Sequence, residues 1–215
     1  MKILALEFSS AQRSVAVACG AGHVREAIET SKGHTMQPFA MIEAALEQAN
    51  IERDEIGLIV VGLGPGSYTG IRAGIAMAQG WQLARNVALT GISSVEAIAA
   101  QAQEDGLRGT CSVVVDAQRG EFYLASWELA DAGQRNLEPL RIVSAEEASA
   151  HADAGQIIIG PEVTRWFPAG RVVFPRAAML AKLALDRADS QGSDVLEPIY
   201  LRETTFVKGP APRVI

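Results

Sequence analysis

Two successive stretches of roughly a hundred residues carry the same order of elements, strand-strand-strand-helix-strand-helix, and a repeat on that scale leaves few folds open. In the first, residues 2–8 (KILALEF) read as a strand apolar on both faces, followed by strands at Ser14–Cys19 and His23–Glu29. The spacing of Met36, Phe39, Ile42, Ala45, Leu46 and Ala49 predicts a helix over Thr35–Asn50, with Pro38 in a first turn that needs no N–H. A strand at Gly57–Val61, a helix at Thr69–Arg85, a strand at Val87–Gly91 and a helix at Ser93–Glu104, capped by Ser93 or Ser94, complete the unit. The second unit runs through strands at Thr110–Asp116, Phe122–Glu128 and Leu137–Val143, a helix at Ser144–His151, a strand at Gln156–Ile159 and a helix at Ala177–Asp189. Each first strand ends in an acid, Glu7 or Asp116, and each fourth strand runs into Gly-Pro, at Gly64-Pro65 and Gly160-Pro161.

This duplicated order matches a two-lobed α/β fold of the actin-like (ASKHA, ribonuclease H-like) class. The polar stretch EDGLR suggests a division into lobes at 1–104 and 105–215. In such a fold a nucleotide lies between the lobes, against the acid-bearing turns. That makes Glu7, Gly64, Gly66, Asp116 and Arg119 the candidate nucleotide-binding residues, with ATP or ADP and magnesium as the candidate cofactor.

The glycine-rich loop GLGPGSYTGIRAG, Gly62 to Gly74, has the layout of a phosphate cradle: a strand, a loop without Cβ atoms and a helix N-terminus. Its letters argue otherwise. A P-loop needs a lysine, and none stands between positions 33 and 181; in the dinucleotide pattern Ser67 takes the place of the third glycine. Ser67 is not framed as G-x-S-x-G either, so capping of the following helix is its plainer role. For Glu7, Asp116 and Arg119 the plainer reading is likewise stabilisation of their own turns. His23, His34 and His151 lack metal-ligand spacing, and no metal centre is expected.

Composition excludes further classes. With a net charge of −6 and no basic run, the chain is not expected to hold RNA or DNA by itself. Cys19 and Cys111 sit in apolar strands and read as buried thiols. Lys2 leads straight into a strand, and no stretch of about 18 apolar residues is present, so no secretory leader, no membrane span and a cytoplasmic location are expected.

The helix after the glycine loop carries Gly70, Gly74 and Ala78 at four-residue steps, with Ala73, Met77, Gly80 and Ala84 on adjacent rows. Each glycine costs a helix up to about 1 kcal/mol against alanine. Close approach of another helix would explain that cost. The first helix adds Met36, Phe39, Met41 and Ile42, more apolar surface than one sheet-facing stripe requires, and methionines suit a surface with alternative partners. The expected partner interface is therefore Met36, Phe39, Met41, Ile42, Gly70, Ala73, Gly74, Met77 and Ala78.

Four segments together resemble one family: ILALEFSSAQRSVAV near the start, GLGPGSYTGIRAGIAMAQG, VVVDAQRGEFY, and PIYLR at Pro198–Arg202. From residue 3 to about 203 the chain looks like the bacterial TsaB (YeaZ) family. The resemblance implies a non-catalytic dimerisation or scaffold subunit in making threonylcarbamoyladenosine at position 37 of tRNA. Its implied partners are a TsaD-like transferase and a TsaE-like ATPase, with a homodimer when the transferase is absent. Nucleotide is then expected at most weakly, or at a mixed interface with the partner. TsaD-like relatives carry a His-x-x-x-His metal pair whose positions here are Ser94 and Ile98, and Glu7 stands where the family usually has Asp. The alternative is an actin-like ATPase or a peptidase acting on its own.

Overall fold

The computed structural model describes residues 1–20, 22–30, 37–187 and 196–202. Strands β1 (Ile3–Glu7), β2 (Gln12–Ala18), β3 (Val24–Thr30), β4 (Leu58–Gly62) and β5 (Ala88–Ile92) form one sheet in the order β3-β2-β1-β4-β5. The first three are antiparallel neighbours, while β4 and β5 extend the sheet in parallel. Strands β6 (Gly109–Asp116), β7 (Glu121–Ala130), β8 (Gly133–Ser144), β9 (Ile157–Gly160) and β10 (Arg171–Val172) repeat that plan, in the order β10-β9-β6-β7-β8. The topology is that of the two-lobed actin-like fold.

The central strands are buried on both faces, which is why β1 and β4 read as unbroken apolar runs. Their alternating side chains sort into two cores. Leu4, Leu6, Val15, Val17, Ile59 and Val61 face helices α1 (Pro38–Ala49) and α2 (Tyr68–Arg85). Ile3, Ala5, Ala16, Ala18, Leu58 and Val60 face the other way, toward α5 (Ala177–Asp186). Helix α3 (Ser94–Glu104) lies between the lobes: Ala97 joins the core under α5, while Val95, Ile98, Ala99 and Ala102 pack on Cys111, Val113 and Val115 of β6. Helix α4 (Ala145–Asp153) covers the opposite face of the second sheet through Ala148, against Val114, Phe122 and Leu124. Among the described residues no helix is long and apolar enough to cross a membrane.

The structure departs from the sequence expectations in three places. Helix α5, assigned by the 104/105 division to the C-terminal lobe, packs on β1 and β2 of the first sheet. Its first turn is anchored there: the Ala177 N–H donates to Ser14 Oγ at 2.8 Å, the Ala178 N–H donates to Glu26 Oε1 at 3.2 Å, and Arg176 pairs with Glu26. Strand β8 begins at Gly133 rather than Leu137, because a two-residue turn after Ala130 lets the polar stretch GQRN pair with β7. The two-residue β10 was too short to show a period of its own. Thr35, Met36 and the 188–189 end of the last predicted helix lie outside the described residues.

Candidate functional site

The Gly62–Gly74 loop is folded down onto the end of β1. The Ser67 N–H donates to Ser9 O at 2.7 Å, and Ser67 Oγ accepts from the Gly70 N–H at 3.3 Å as the N-cap of α2. A Cβ on Gly66 would lie 2.1 Å from Ser9 O, so the loop has no side chain where it meets that turn. Across the loop, Ser94 locks Gly64: the Gly64 N–H donates to Ser94 Oγ at 3.1 Å and the Ser94 N–H donates to Gly64 O at 2.9 Å. Ser93 occupies the N-cap position of α3 without a side-chain cap bond.

Beneath this loop lies the fully buried carboxyl of Glu7. Its Oε1 accepts the Ser9 N–H at 2.7 Å, and its Oε2 accepts the Ser94 hydroxyl at 2.8 Å. Burial raises the Glu7 pKa above 4.5, against the hydrogen bonds from Ser9 and Ser94, which lower it. A carboxyl with a raised folded-state value contributes stability that is complete below the unfolded value and is lost as pH rises through the folded one. Glu7→Gln, which stays neutral, is therefore expected to flatten that decline. Urea denaturation at pH 5 and pH 8 should show the variant losing less stability over the interval than the parent, and equal losses would contradict the assignment.

The cleft between the lobes has a volume of about 420 Å³ and is lined by Ser9, Ser10, Gly66, Ser67, Tyr68, Asp116, Gln118 and Trp166, among others. Of the five nucleotide candidates, the structure brings only Gly66 and Asp116 to its wall. Glu7 is turned away into its own bonds, and Gly64 and Arg119 are not part of the lining. Asp116 Oδ1 accepts the Gln118 N–H at 2.7 Å. The lining contains one basic residue, Arg13, and no lysine, and the N–H groups of Gly64, Ser67 and Gly70 are committed within the protein. The two positions matched to a metal-binding pair are likewise committed within the protein, since Ser94 bonds Glu7 and Ile98 is buried against the second sheet.

A second concavity lies outside the cleft, between α1 and α2. It measures about 670 Å³ and is apolar: Phe39, Ala40 and Ile42 come from α1, and Ala76, Met77, Gly80, Trp81 and Ala84 from α2. At its edges Arg53 pairs with Glu43 and Arg85 with Asp54. Phe39 is 71% exposed and Leu83 is 89% exposed, large apolar surfaces left in water on adjacent helices.

This geometry divides the expected interface residues into buried and exposed groups. Met41, Gly70, Gly74 and Ala78 are buried in the chain's own lobe, Ile42 is buried there too but lines the floor of the groove, and a Cβ on Gly74 would already touch Phe8 and Val61 at 3.4 Å. The row of small residues serves the packing of α2 on its own sheet. Phe39, Ala73 and Met77 do reach the surface, on the next row round the helices, and Met36 lies outside the described residues. Ala76 and Trp81 line the groove and Leu83 is exposed beside them, although none was among the expected residues; their signal in the sequence was apolar residues on a helix face that the buried row does not use.

One further constellation resembles catalytic machinery. Ser112 Oγ lies 3.1 Å from His151 Nδ1, and His151 Nε2 lies 3.9 Å from Glu138 Oε2. Ser112 is fully buried and donates its hydroxyl to Gln156 Oε1 at 2.6 Å, so no nucleophile faces a substrate there. Ser67, the other candidate nucleophile, is held as a helix cap.

Comparison with known proteins adds sequence and fold relatives. The family model described as TsaD, tRNA N6-adenosine threonylcarbamoyltransferase, matches residues 11–188. The tRNA threonylcarbamoyladenosine biosynthesis protein TsaB of Bacillus subtilis (strain 168) is 29% identical over 130 residues, covering 60% of this chain and 56% of that protein. TsaB of Escherichia coli (strain K12) is 30% identical over 134 residues, covering 62% and 58%. The match thus spans little more than half the length of these two relatives. An uncharacterized protein of Mycobacterium tuberculosis (strain ATCC 25618 / H37Rv) is 32% identical over 177 residues, covering 80% and 76%. Among solved structures, YeaZ from Pseudomonas aeruginosa superposes with a TM-score of 0.79 at 22% identity, covering 93% of this chain and 99% of that one. That likeness is one of fold.

Proposed function

The chain belongs to the TsaD family of the matching model and, within it, to the TsaB/YeaZ members, and from that premise we propose that it is a non-catalytic scaffold subunit in the formation of threonylcarbamoyladenosine at position 37 of tRNA. The observation that carries this reading is the apolar groove between α1 and α2, flanked by the exposed Phe39 and Leu83. A groove of this kind accepts an apolar helical surface, and a TsaD-like transferase with a related fold supplies one. A second copy of this chain would compete for the same groove when the transferase is absent. Catalysis and the contacts with nucleotide and tRNA are assigned to the transferase and a TsaE-like ATPase, in the cytoplasm. The acidic chain, with a net charge of −6, suits that division.

Gly80 is the place to test it. A Cβ there meets nothing within 4 Å, so Gly80→Arg fills the groove without entering the chain's own core. Titration calorimetry against the TsaD homologue of the same genome is expected to show affinity reduced by at least about 100-fold, the scale of a lost interface hot spot. The same variant should run as a monomer in sedimentation while melting within a few degrees of the parent. Unchanged affinity would overturn the proposal.

A further inference from the structure

The segment Leu196–Arg202, which contains PIYLR, belongs to no helix or strand, yet it is bonded to both lobes. On the first lobe, Leu196 is buried in the core beneath α1 and α2, and the Ile199 N–H donates to Leu63 O at 2.9 Å. The Tyr200 ring stacks on Tyr68, the first residue of α2, with centroids 5.7 Å apart and planes at 29°. Tyr68 is held in turn by Arg72, whose guanidinium lies 4.8 Å from the ring centroid. Two residues on, the chain reaches the second lobe. Arg202 Nη2 donates to Ala117 O at 2.9 Å and to Glu121 Oε2 at 2.6 Å, across the turn that joins β6 to β7.

The anchor points border the interlobe cleft: Tyr68 lines it on one side, and Asp116 and Gln118, neighbours of Ala117, line it on the other. Helix α3 already joins the lobes through its contacts with both α5 and the second sheet. The chain crosses a second time between β10 and Ala177 of α5, and two crossings leave a hinge rotation between the lobes that a tie at the cleft edge removes. We propose that residues 196–202 are an interlobe strap that fixes the width of the cleft. The Arg202–Glu121 pair, with side chains 35% and 41% exposed, is too wet to do this as a salt bridge alone. The tie depends on one planar guanidinium reaching a backbone carbonyl and a carboxylate together, and on the tyrosine stack that aims it. Because the strap also grips Leu63 and Tyr68, cleft width is tied to the loop that starts α2. The inference does not depend on which partner α2 meets.

The test is a distance measurement on the full chain. Spin labels are placed at Arg25→Cys on β3 and Ser149→Cys on α4, both exposed, in a Cys19→Ala background. Cys111 needs no replacement: it is buried, and burial pushes its thiol up to about 12. Labelled chain is diluted into unlabelled chain so that only distances within one molecule are read. The parent is expected to show one narrow distance. Tyr200→Ala/Arg202→Ala should at least double the width of the distribution and extend it to longer distances, and Arg202→Gln alone serves if the double variant does not fold. Leu201→Ala, which removes a 41% exposed side chain, should leave the distribution narrow. An unchanged distribution in Arg202→Gln or in the double variant would overturn the strap, as would equal broadening by Leu201→Ala.

Discussion

Gly70→Ala is expected to destabilise the protein by about 3 kcal/mol or more, the range of severe steric substitutions, and to lower the thermal midpoint by about 6–12 °C for a chain of this size. In an isolated helix the same change would stabilise by up to about 1 kcal/mol, because alanine orders more cheaply than glycine. Tertiary contact reverses the sign. A Cβ on Gly70 would sit 2.0 Å from Phe8 O and 3.1 Å from its carbonyl carbon. That obstacle is backbone at the end of β1, where the Phe8 side chain is itself buried, so it cannot swing aside as an exposed side chain could. Gly80→Ala, ten residues along the same helix and facing open space, should instead leave stability unchanged or raise it by up to about 1 kcal/mol. Scanning calorimetry on the two variants reads the contrast directly. A Gly70→Ala protein as stable as the parent would mean that α2 does not rest on β1 in this way.

The second large effect concerns Gly62 and Glu7. Gly62→Ala is expected to cost about 2–4 kcal/mol, since its Cβ would fall 2.0 Å from Glu7 Oε2 and 2.7 Å from the carboxyl carbon. A surface glutamate would rotate away. This one is fully buried and held at both oxygens by Ser9 and Ser94. The missing Cβ of Gly62 thus makes room for a glutamate where a shorter aspartate would leave space. Glu7→Asp draws the carboxyl back by one methylene and should weaken those two hydrogen bonds, at a cost of about 1–3 kcal/mol. Combined, the two changes should cost less than their sum by at least about 1 kcal/mol, because each relieves part of the other's misfit. Urea denaturation of the parent, both single variants and the double variant closes the cycle, and strict additivity would refute the steric account.

The element order and the division into two sheets were legible because they rest on local periodicity. Apolar residues at every position of β1 and β4 announce strands covered on both faces, and three- and four-residue steps announce α1 and α2. The open face of α2 was half legible. Spacing shows that Gly70, Gly74 and Ala78 form one row and Ala73, Met77, Gly80 and Ala84 mark others, but it does not say which row faces inward. Phe8 and Val61, distant in sequence, make that choice by closing on the glycine row. The seat of α5 was hidden for the same reason, since Ser14 and Glu26 lie about 150 residues or more before it. The ambiguity of Glu7 also disappears in three dimensions. A carboxylate at the end of a first strand suggests a metal or phosphate site until Ser94, 87 residues on, takes its second oxygen.

By itself the sequence determined the duplicated strand and helix plan, the actin-like class and the family, because pattern and composition act within short windows of chain. Only the tertiary structure decided which faces remain open, which of the candidate residues line the cleft and that PIYLR crosses from one lobe to the other. Those outcomes are set by steric exclusion and hydrogen bonding between residues far apart in sequence, and no local window contains both partners.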